Sequence, residues 1–208
     1  MKFFKFFFSI LIVCLVTSCG LSSWIFTDDV SDDDFKISMK EAIYNQKYDY
    51  LENNFKIIDK VTLKFGDIDF ENAKNEEVIE HIKEINWIVK SKFIQIDEID
   101  DDWNNGVENI VDNKIYRGDC EDLVLTSLFI ANKTGIPKDK LYKIITKSDG
   151  SNVANHMLAG YKDPKGFMWI FGDTKNLTVD HFLKMDNQHV PFSYSRYDWK
   201  NKWIIIEE

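Results

Sequence analysis

The sequence predicts an α+β domain in which helices and an antiparallel sheet share one core. Apolar residues recur at helical spacing in two segments, 76–92 and 120–131. Three shorter segments rich in β-branched and aromatic residues follow, at 141–146, 156–161 and 167–171. Strands joined by short turns pair antiparallel, so we expect the helices first along the chain and the sheet after them.

Length and charge restrict the function classes. The chain has 208 residues, 44% of them hydrophobic and 14% aromatic, which supports a real core and argues against disorder. The 35 Asp and Glu residues outnumber the 26 Lys and Arg residues, for a formal net charge of −9. Because such a chain is poorly suited to neutralising phosphates, we expect no nucleic-acid partner. The three cysteines are too few for a disulfide scaffold.

The N-terminus has the pattern of a signal peptide. Lys2 and Lys5 form a basic start, and residues 6–16 are almost wholly apolar but too short to span a membrane. The Val-Thr-Ser-Cys that ends at Cys19 resembles the lipobox of bacterial lipoproteins, in which cleavage precedes a cysteine that then carries lipid. We predict a signal peptide at residues 1–18, lipidation of Cys19, export, and anchoring to a membrane through the lipid. The alternative is an ordinary secretory signal or a membrane anchor in which the cysteine occurs by chance.

The remaining chain divides into a tether and one domain. Residues 19–35 contain five aspartates and little apolar pattern, which is typical of a solvated tether. Residues 36–208 form the domain, whose N-terminal part is predicted to be helical. A first helix follows a capping box at 38–41, and a second runs from about residue 76 to residue 92.

Cys120 stands at the start of a third helix. Asp119 is a good N-cap residue, and Gly135 provides a stop after the helical apolar spacing. The N–H groups at a helix start favour a thiolate, whereas the carboxylates of Asp119, Glu121 and Asp122 oppose one, so the thiol needs a cationic partner. The alternative is a small buried apolar residue at a helix start.

A predicted hairpin supplies that partner. Its turn, residues 163–166, matches type I, with Asp first, Pro second and Gly fourth. A two-residue loop would place His156 opposite Asp173, within reach of an imidazole–carboxylate hydrogen bond. A glycine bulge at Gly166 would shift the register by one residue and leave the pair as near neighbours.

These side chains together make a thiol nucleophile, a base and an orienting acid. Cys120 would attack a carbonyl carbon, His156 would take the thiol proton, and Asp173 would orient the imidazole. The backbone N–H of Cys120 is a natural oxyanion donor. A second donor is expected upstream, and the sequence does not separate Trp103, Asn104 and Asn105 for that role.

A set of motifs here resembles the bacterial transglutaminase-like cysteine peptidases, the papain-fold periplasmic proteases that include biofilm-adhesin-cleaving enzymes. The motifs are Gly118–Asp122, Gly135-Ile136-Pro137, His156-Met157 and Asp173, within a resemblance that covers roughly residues 103–208. It implies a papain/transglutaminase-like core, with the nucleophile helix packed on an antiparallel sheet, and a triad of Cys120, His156 and Asp173.

The resemblance also bears on cofactors. Some members of the family bind calcium near the nucleophile, which in this chain would fall on Asp119, Glu121 and Asp122. The alternative is that these acids cap the helix and complement its dipole. No other cofactor is implied.

The sequence therefore predicts a lipid-anchored exported cysteine hydrolase, an endopeptidase whose partner is a protein or peptide substrate. Two alternatives stay open. One is acyl transfer from the same thioester to an amine, and the other is a non-catalytic surface lipoprotein that uses the scaffold for binding. The oligomeric state and the membrane face are not indicated by the sequence.

Overall fold

The computed structural model describes residues 50–96, 104–147, 154–172, 180–181, 190–198 and 204–205. The predicted signal peptide, the lipidated Cys19, the tether and the capping box lie outside the described residues, as do Trp103 and Asp173. Within the described ranges, no helix is both long and apolar enough to cross a membrane.

The helical part comes first along the chain, as predicted. It comprises α1 (Phe55–Phe65), α2 (Asn75–Ser91), α3 (Val107–Val111) and α4 (Cys120–Lys133). Two short strands, β1 (Phe93–Gln95) and β2 (Tyr116–Gly118), pair in parallel as a separate two-stranded sheet. This small sheet was not predicted, because three residues are too short a run to show a pattern.

The first predicted helix is interrupted at Asn54. Residues 50–52 are helical, and α1 then starts afresh, with the Asn54 side chain accepting a hydrogen bond from the backbone N–H of Ile57. The restart rotates the buried stripe onto Ile57, Val61 and Phe65 and leaves Phe55 77% exposed. The break at Asn54 therefore explains why Phe55, although apolar, lies on the outside of α1.

The two later helices agree with the sequence. Helix α2 begins and ends within one residue of the predicted bounds. Helix α4 begins at Cys120 and ends just before Gly135, and its residues 121–131 are all buried. A helix enclosed on every side is a core element, which explains why α4 is apolar over most of its circumference.

The main sheet has six described strands in the order β6-β5-β4-β3-β7-β8, all antiparallel. They are β3 (Leu141–Lys147), β4 (Ala154–Lys162), β5 (Met168–Phe171), β6 (Asp180–His181), β7 (Val190–Arg196) and β8 (Ile204–Ile205). Met157, Ala159 and Tyr161 face the helices, and Leu158 belongs to a second cluster on the other face. The predicted α+β class, with a helix packed on an antiparallel sheet, is confirmed.

The β4–β5 hairpin has the register of the bulged loop. Ala159 lies opposite Phe171, whereas a two-residue loop would have paired Leu158 with Phe171. The backbone N–H of Asp163 donates to Phe167 O at 2.9 Å, and Gly166 has a φ of 86°. The loop therefore has three residues and ends in a left-handed glycine, because a plain type I turn twists against the strands of a two-residue hairpin. Over the described pairs, the register of the two-residue loop is wrong by one residue and that of the bulged loop is observed. The pairing of His156 with Asp173 falls outside the described residues.

Candidate active site

Cys120 lies where the start of α4 meets strand β4. Its thiol donates a hydrogen bond to Glu121 Oε2 at 3.1 Å. The backbone of Met157 in β4 also hydrogen-bonds to the Cys120 sulfur. The predicted nucleophile is thus held between its own helix and the strand that carries His156.

The thiol is strongly disfavoured from ionising. Burial raises the pKa of Cys120 well above its ordinary range, and the negative charge of Glu121 raises it further. The hydrogen bond from Met157 and the helix start favour the thiolate but do not outweigh these effects. The sequence predicted that the acids would oppose a thiolate, and the structure adds burial as the larger cause.

His156 is half-buried and directly precedes Met157 in β4. It pairs with Thr146 of β3, whereas Lys147 pairs with Ala154, so β4 has one extra residue at this point. Regular alternation would put His156 on the face opposite Met157, away from α4. The alternation from His156 to Met157 is regular, because these residues pair in turn with Thr146 and Ile145, and the β-bulge lies on the N-terminal side of the candidate base.

The end of β5 is held by a residue that the sequence analysis missed. Asn86 of α2 is buried, and its Oδ1 accepts a hydrogen bond from the backbone N–H of Gly172 at 2.9 Å. Gly172 has a φ of 67°, and a Cβ there would come within 3.4 Å of Val124 in α4. Asp173 is the next residue along the chain and lies outside the described residues. The available signal was an asparagine within the apolar stripe of α2.

The segment before α3 is tied to the nucleophile helix. The backbone N–H of Asn104 donates to Asp122 Oδ1 at 2.6 Å, and the Asn105 side-chain amide donates to Leu125 O at 3.3 Å. Gly106 N–H donates to Thr126 Oγ1 at 2.7 Å. The Asn104 backbone N–H and one N–H of the Asn105 side-chain amide are therefore engaged by α4, while the second N–H of that amide is not used in this bond. The second donor stays a prediction.

The three predicted calcium ligands have different surroundings. Asp119 occupies the N-cap position, but its side chain makes no capping hydrogen bond. Glu121 accepts a hydrogen bond from the Cys120 thiol. Asp122 is fully buried against Gly118 and Asn104. Over the described ranges, no group of three or more His, Cys, Asp or Glu side chains could hold a metal ion. Calcium at these residues stays a prediction.

Known proteins resemble this chain only through their structures. No protein-family model matches the chain, and no curated protein matches it. Solved structures of Legionella pneumophila LapG, one of them calcium-bound, superpose with a TM-score of 0.48 at 23% identity, covering 67% of this chain and 70% of LapG. An EGTA-treated LapG structure gives the same TM-score at 24% identity, covering 67% and 68%.

LapG is a transglutaminase-like periplasmic cysteine protease, the class that the sequence motifs resemble.

Proposed function

We propose that the chain is a cysteine hydrolase, specifically an endopeptidase, with Cys120 as nucleophile, His156 as base and Asp173 as the acid that orients it. The contact between the backbone of Met157 and the Cys120 sulfur supports this most directly. It holds the only cysteine of the described residues against the strand whose neighbouring residue is His156.

The raised pKa of Cys120 determines how the chemistry would start. A thiol that rests protonated must lose its proton as it attacks, so His156 would act as a general base in the attacking step. The sulfur forms a bond to the scissile carbonyl carbon, and the imidazolium then protonates the departing amine. Water cleaves the thioester after giving a proton to His156, which regenerates the thiol and releases the acid.

Removing the nucleophile tests the proposal. We expect Cys120→Ala to lose hydrolysis of fluorescently labelled casein at least about a thousandfold without a change in melting temperature, because triad members act as a unit. His156→Ala should lose a similar amount. Thr62→Ala, in α1, is the control and should keep full activity.

Two outcomes would contradict the hydrolase. Activity retained by Cys120→Ala would exclude this nucleophile. A wild-type protein that cleaves neither casein nor any member of a panel of exported proteins would favour the non-catalytic binding protein.

We also propose that the chain is exported and held at a membrane by lipid on Cys19. The support is the Val-Thr-Ser-Cys motif after an apolar run of signal-peptide length. In bacterial cells, Cys19→Ser should remove radiolabelled palmitate from the protein and block processing. Equal palmitate labelling of wild type and Cys19→Ser would contradict the lipid anchor. Cys14→Ser is the matched control and should be labelled like wild type.

The calcium assignment has its own measurement. If Asp119 and Glu121 bind calcium, adding calcium in excess over EGTA raises the melting temperature, because a ligand that binds only the folded state stabilises it. The double variant Asp119→Asn/Glu121→Gln should lose that increase. An unchanged wild-type melting temperature at millimolar calcium would remove the assignment.

A further inference from the structure

The small parallel sheet exposes an apolar face. Its inner face is covered, since Phe93 and Tyr116 pack against the main core with their rings 5.9 Å apart. The outer face carries Ile94, Ile96 and Ile115, which are 44%, 39% and 50% exposed. Parallel strands occur almost only where both faces are covered, and two strands alone are marginally stable. This face therefore lacks a covering layer in the described structure.

Strand β2 of this small sheet leads directly into the candidate active site. Strand β2 ends at Gly118, two residues before Cys120, and Gly118 O accepts a hydrogen bond from Ile96 N at 2.9 Å. The backbone groups of Tyr116 and Gly118 make the hydrogen bonds to β1, so the backbone of Arg117 faces the other edge of β2, which pairs with no strand among the described residues. An extended peptide at about 3.3 Å per residue would need roughly five residues to run from Ile115 to the thiol.

Charge on this surface selects the kind of peptide. Lys92 directly precedes β1, and the exposed Arg117 is the cross-strand partner of Ile94, between Ile115 and Cys120 along the chain. Neither forms an ion pair within the part of the chain that the structure describes. Strands β1 and β2 contain no acidic residue. Positive charge beside an apolar face, on a chain with a net charge of −9, is complementary to a segment that is both acidic and apolar.

We infer that the outer face of the β1–β2 sheet binds an extended substrate segment. Apolar side chains of the segment pack on Ile94, Ile96 and Ile115, and its carboxylates meet Lys92 and Arg117. The inference rests on the proposed hydrolase function, because it names the substrate features that guide a peptide to Cys120.

Peptide binding to Cys120→Ala tests the inference without needing catalysis. The three probes, each labelled with fluorescein, are Asp-Glu-Val-Thr-Ile-Val, the charge-reversed Lys-Lys-Val-Thr-Ile-Val and the polar Asp-Glu-Ser-Thr-Ser-Ser. Their binding is measured by fluorescence polarisation. The acidic-apolar peptide should bind about tenfold or more tightly than either of the others, a difference of about 1.4 kcal/mol.

Variants locate the binding surface. Added to Cys120→Ala, the double change Ile94→Ser/Ile115→Ser should weaken the acidic-apolar peptide about tenfold. Arg117→Glu should shift preference toward the charge-reversed peptide. Leu63→Ser and Lys56→Glu, on exposed positions of α1, are the matched controls and should change nothing.

Each contrary result is distinct. Equal affinities for the three peptides, no binding by any of them, or unchanged binding in the double variant would overturn the inference even if casein is hydrolysed. A wild-type dimer that Ile94→Ser/Ile115→Ser converts to a monomer would overturn it in favour of an interface between copies. Selective peptide binding without any hydrolysis would uphold this surface and remove the proposed activity.

Discussion

The charged side chains at the two ends of helix α4 have different effects on their neighbours. At its C-terminal end, Lys133 forms an ion pair with Glu52 at 2.6 Å, and Thr134 hydrogen-bonds to His81 Nε2 at 2.9 Å. At its N-terminal end, the Glu121 carboxylate contacts the Cys120 thiol. Both arrangements suit the helix dipole, but only the second works against ionisation of a reactive group. The charges at the C-terminal end stabilise the helix and affect no reactive group. The carboxylate at the N-terminal end also stabilises the helix, but it disfavours the thiolate of Cys120.

The largest expected effect tests the N-terminal end. Glu121→Gln removes the negative charge beside Cys120 and keeps an acceptor, so the pKa of the thiol should fall and the thiolate fraction at pH 8 should rise. We expect iodoacetamide to alkylate the variant about tenfold faster, the change that one pKa unit produces. The measurement is the pseudo-first-order rate by mass spectrometry.

Glu108→Gln, in the first turn of α3, is the control for a general change in net charge. It should react at the wild-type rate. A Glu121→Gln rate equal to wild type would mean that burial alone keeps the thiol protonated, and the contrast between the two ends of α4 would then not concern charge.

The sequence predicted the helices and strands near the site better than their mutual placement. Helical spacing and the Asp119 and Gly135 signals located α4 because they are local. The sequence left two hairpin registers open, and the bulged one forms because Gly166 adopts a left-handed backbone conformation that the sequence pattern alone did not settle. Asn86 could not be assigned, since its partner Gly172 lies 86 residues away in the chain.

A second prediction concerns that long-range contact. Asn86→Ala removes the acceptor of a buried backbone N–H, so the free energy of unfolding should fall by about 1–3 kcal/mol. Because Gly172 packs beside Val124 near the start of α4, casein hydrolysis should fall as well. Urea denaturation gives the first quantity. Asn72→Ala, which loses an exposed bond to Asp69, is the control and should change stability by less than about 0.5 kcal/mol.

Alkaline pH should weaken the fold through Cys120. The pKa of its thiol is raised above the reference of 9.0 mainly by burial, so above that pH the unfolded chain ionises while the folded chain stays protonated. The free energy of unfolding is therefore unaffected by this group below pH 9. Above pH 9 it falls by at most about 1.4 kcal/mol per pH unit.

Urea denaturation of wild type and Cys120→Ala at pH 8, 9 and 10 measures this loss. The variant should lose less stability between pH 9 and 10. Burial also raises the pKa of Tyr161 to about 12, which adds a loss of the same sign in both proteins above pH 10. Parallel pH curves for the two proteins would contradict the protonated thiol.

The smallest effect is expected at the C-terminal end. Lys133→Met removes the partner of Glu52 but leaves Lys138 at 3.0 Å, so stability should fall by about 1 kcal/mol. The alkylation rate of Cys120 should not change. Lys83→Met, which breaks an exposed pair with Glu80, should have a smaller effect on stability. A changed alkylation rate in Lys133→Met would show that the two ends of α4 are coupled.

The bulges beside Thr146 have a consequence for motion. The ladder is interrupted between β3 and β4 at this level, and between β3 and β7 one residue earlier. Interrupted ladders open locally at lower free energy than regular ones. Amide hydrogens near His156 should therefore exchange with solvent deuterium faster than those of residues 158–161. One continuous strand would then combine a rigid scaffold with a mobile end, and the candidate base sits on the mobile end.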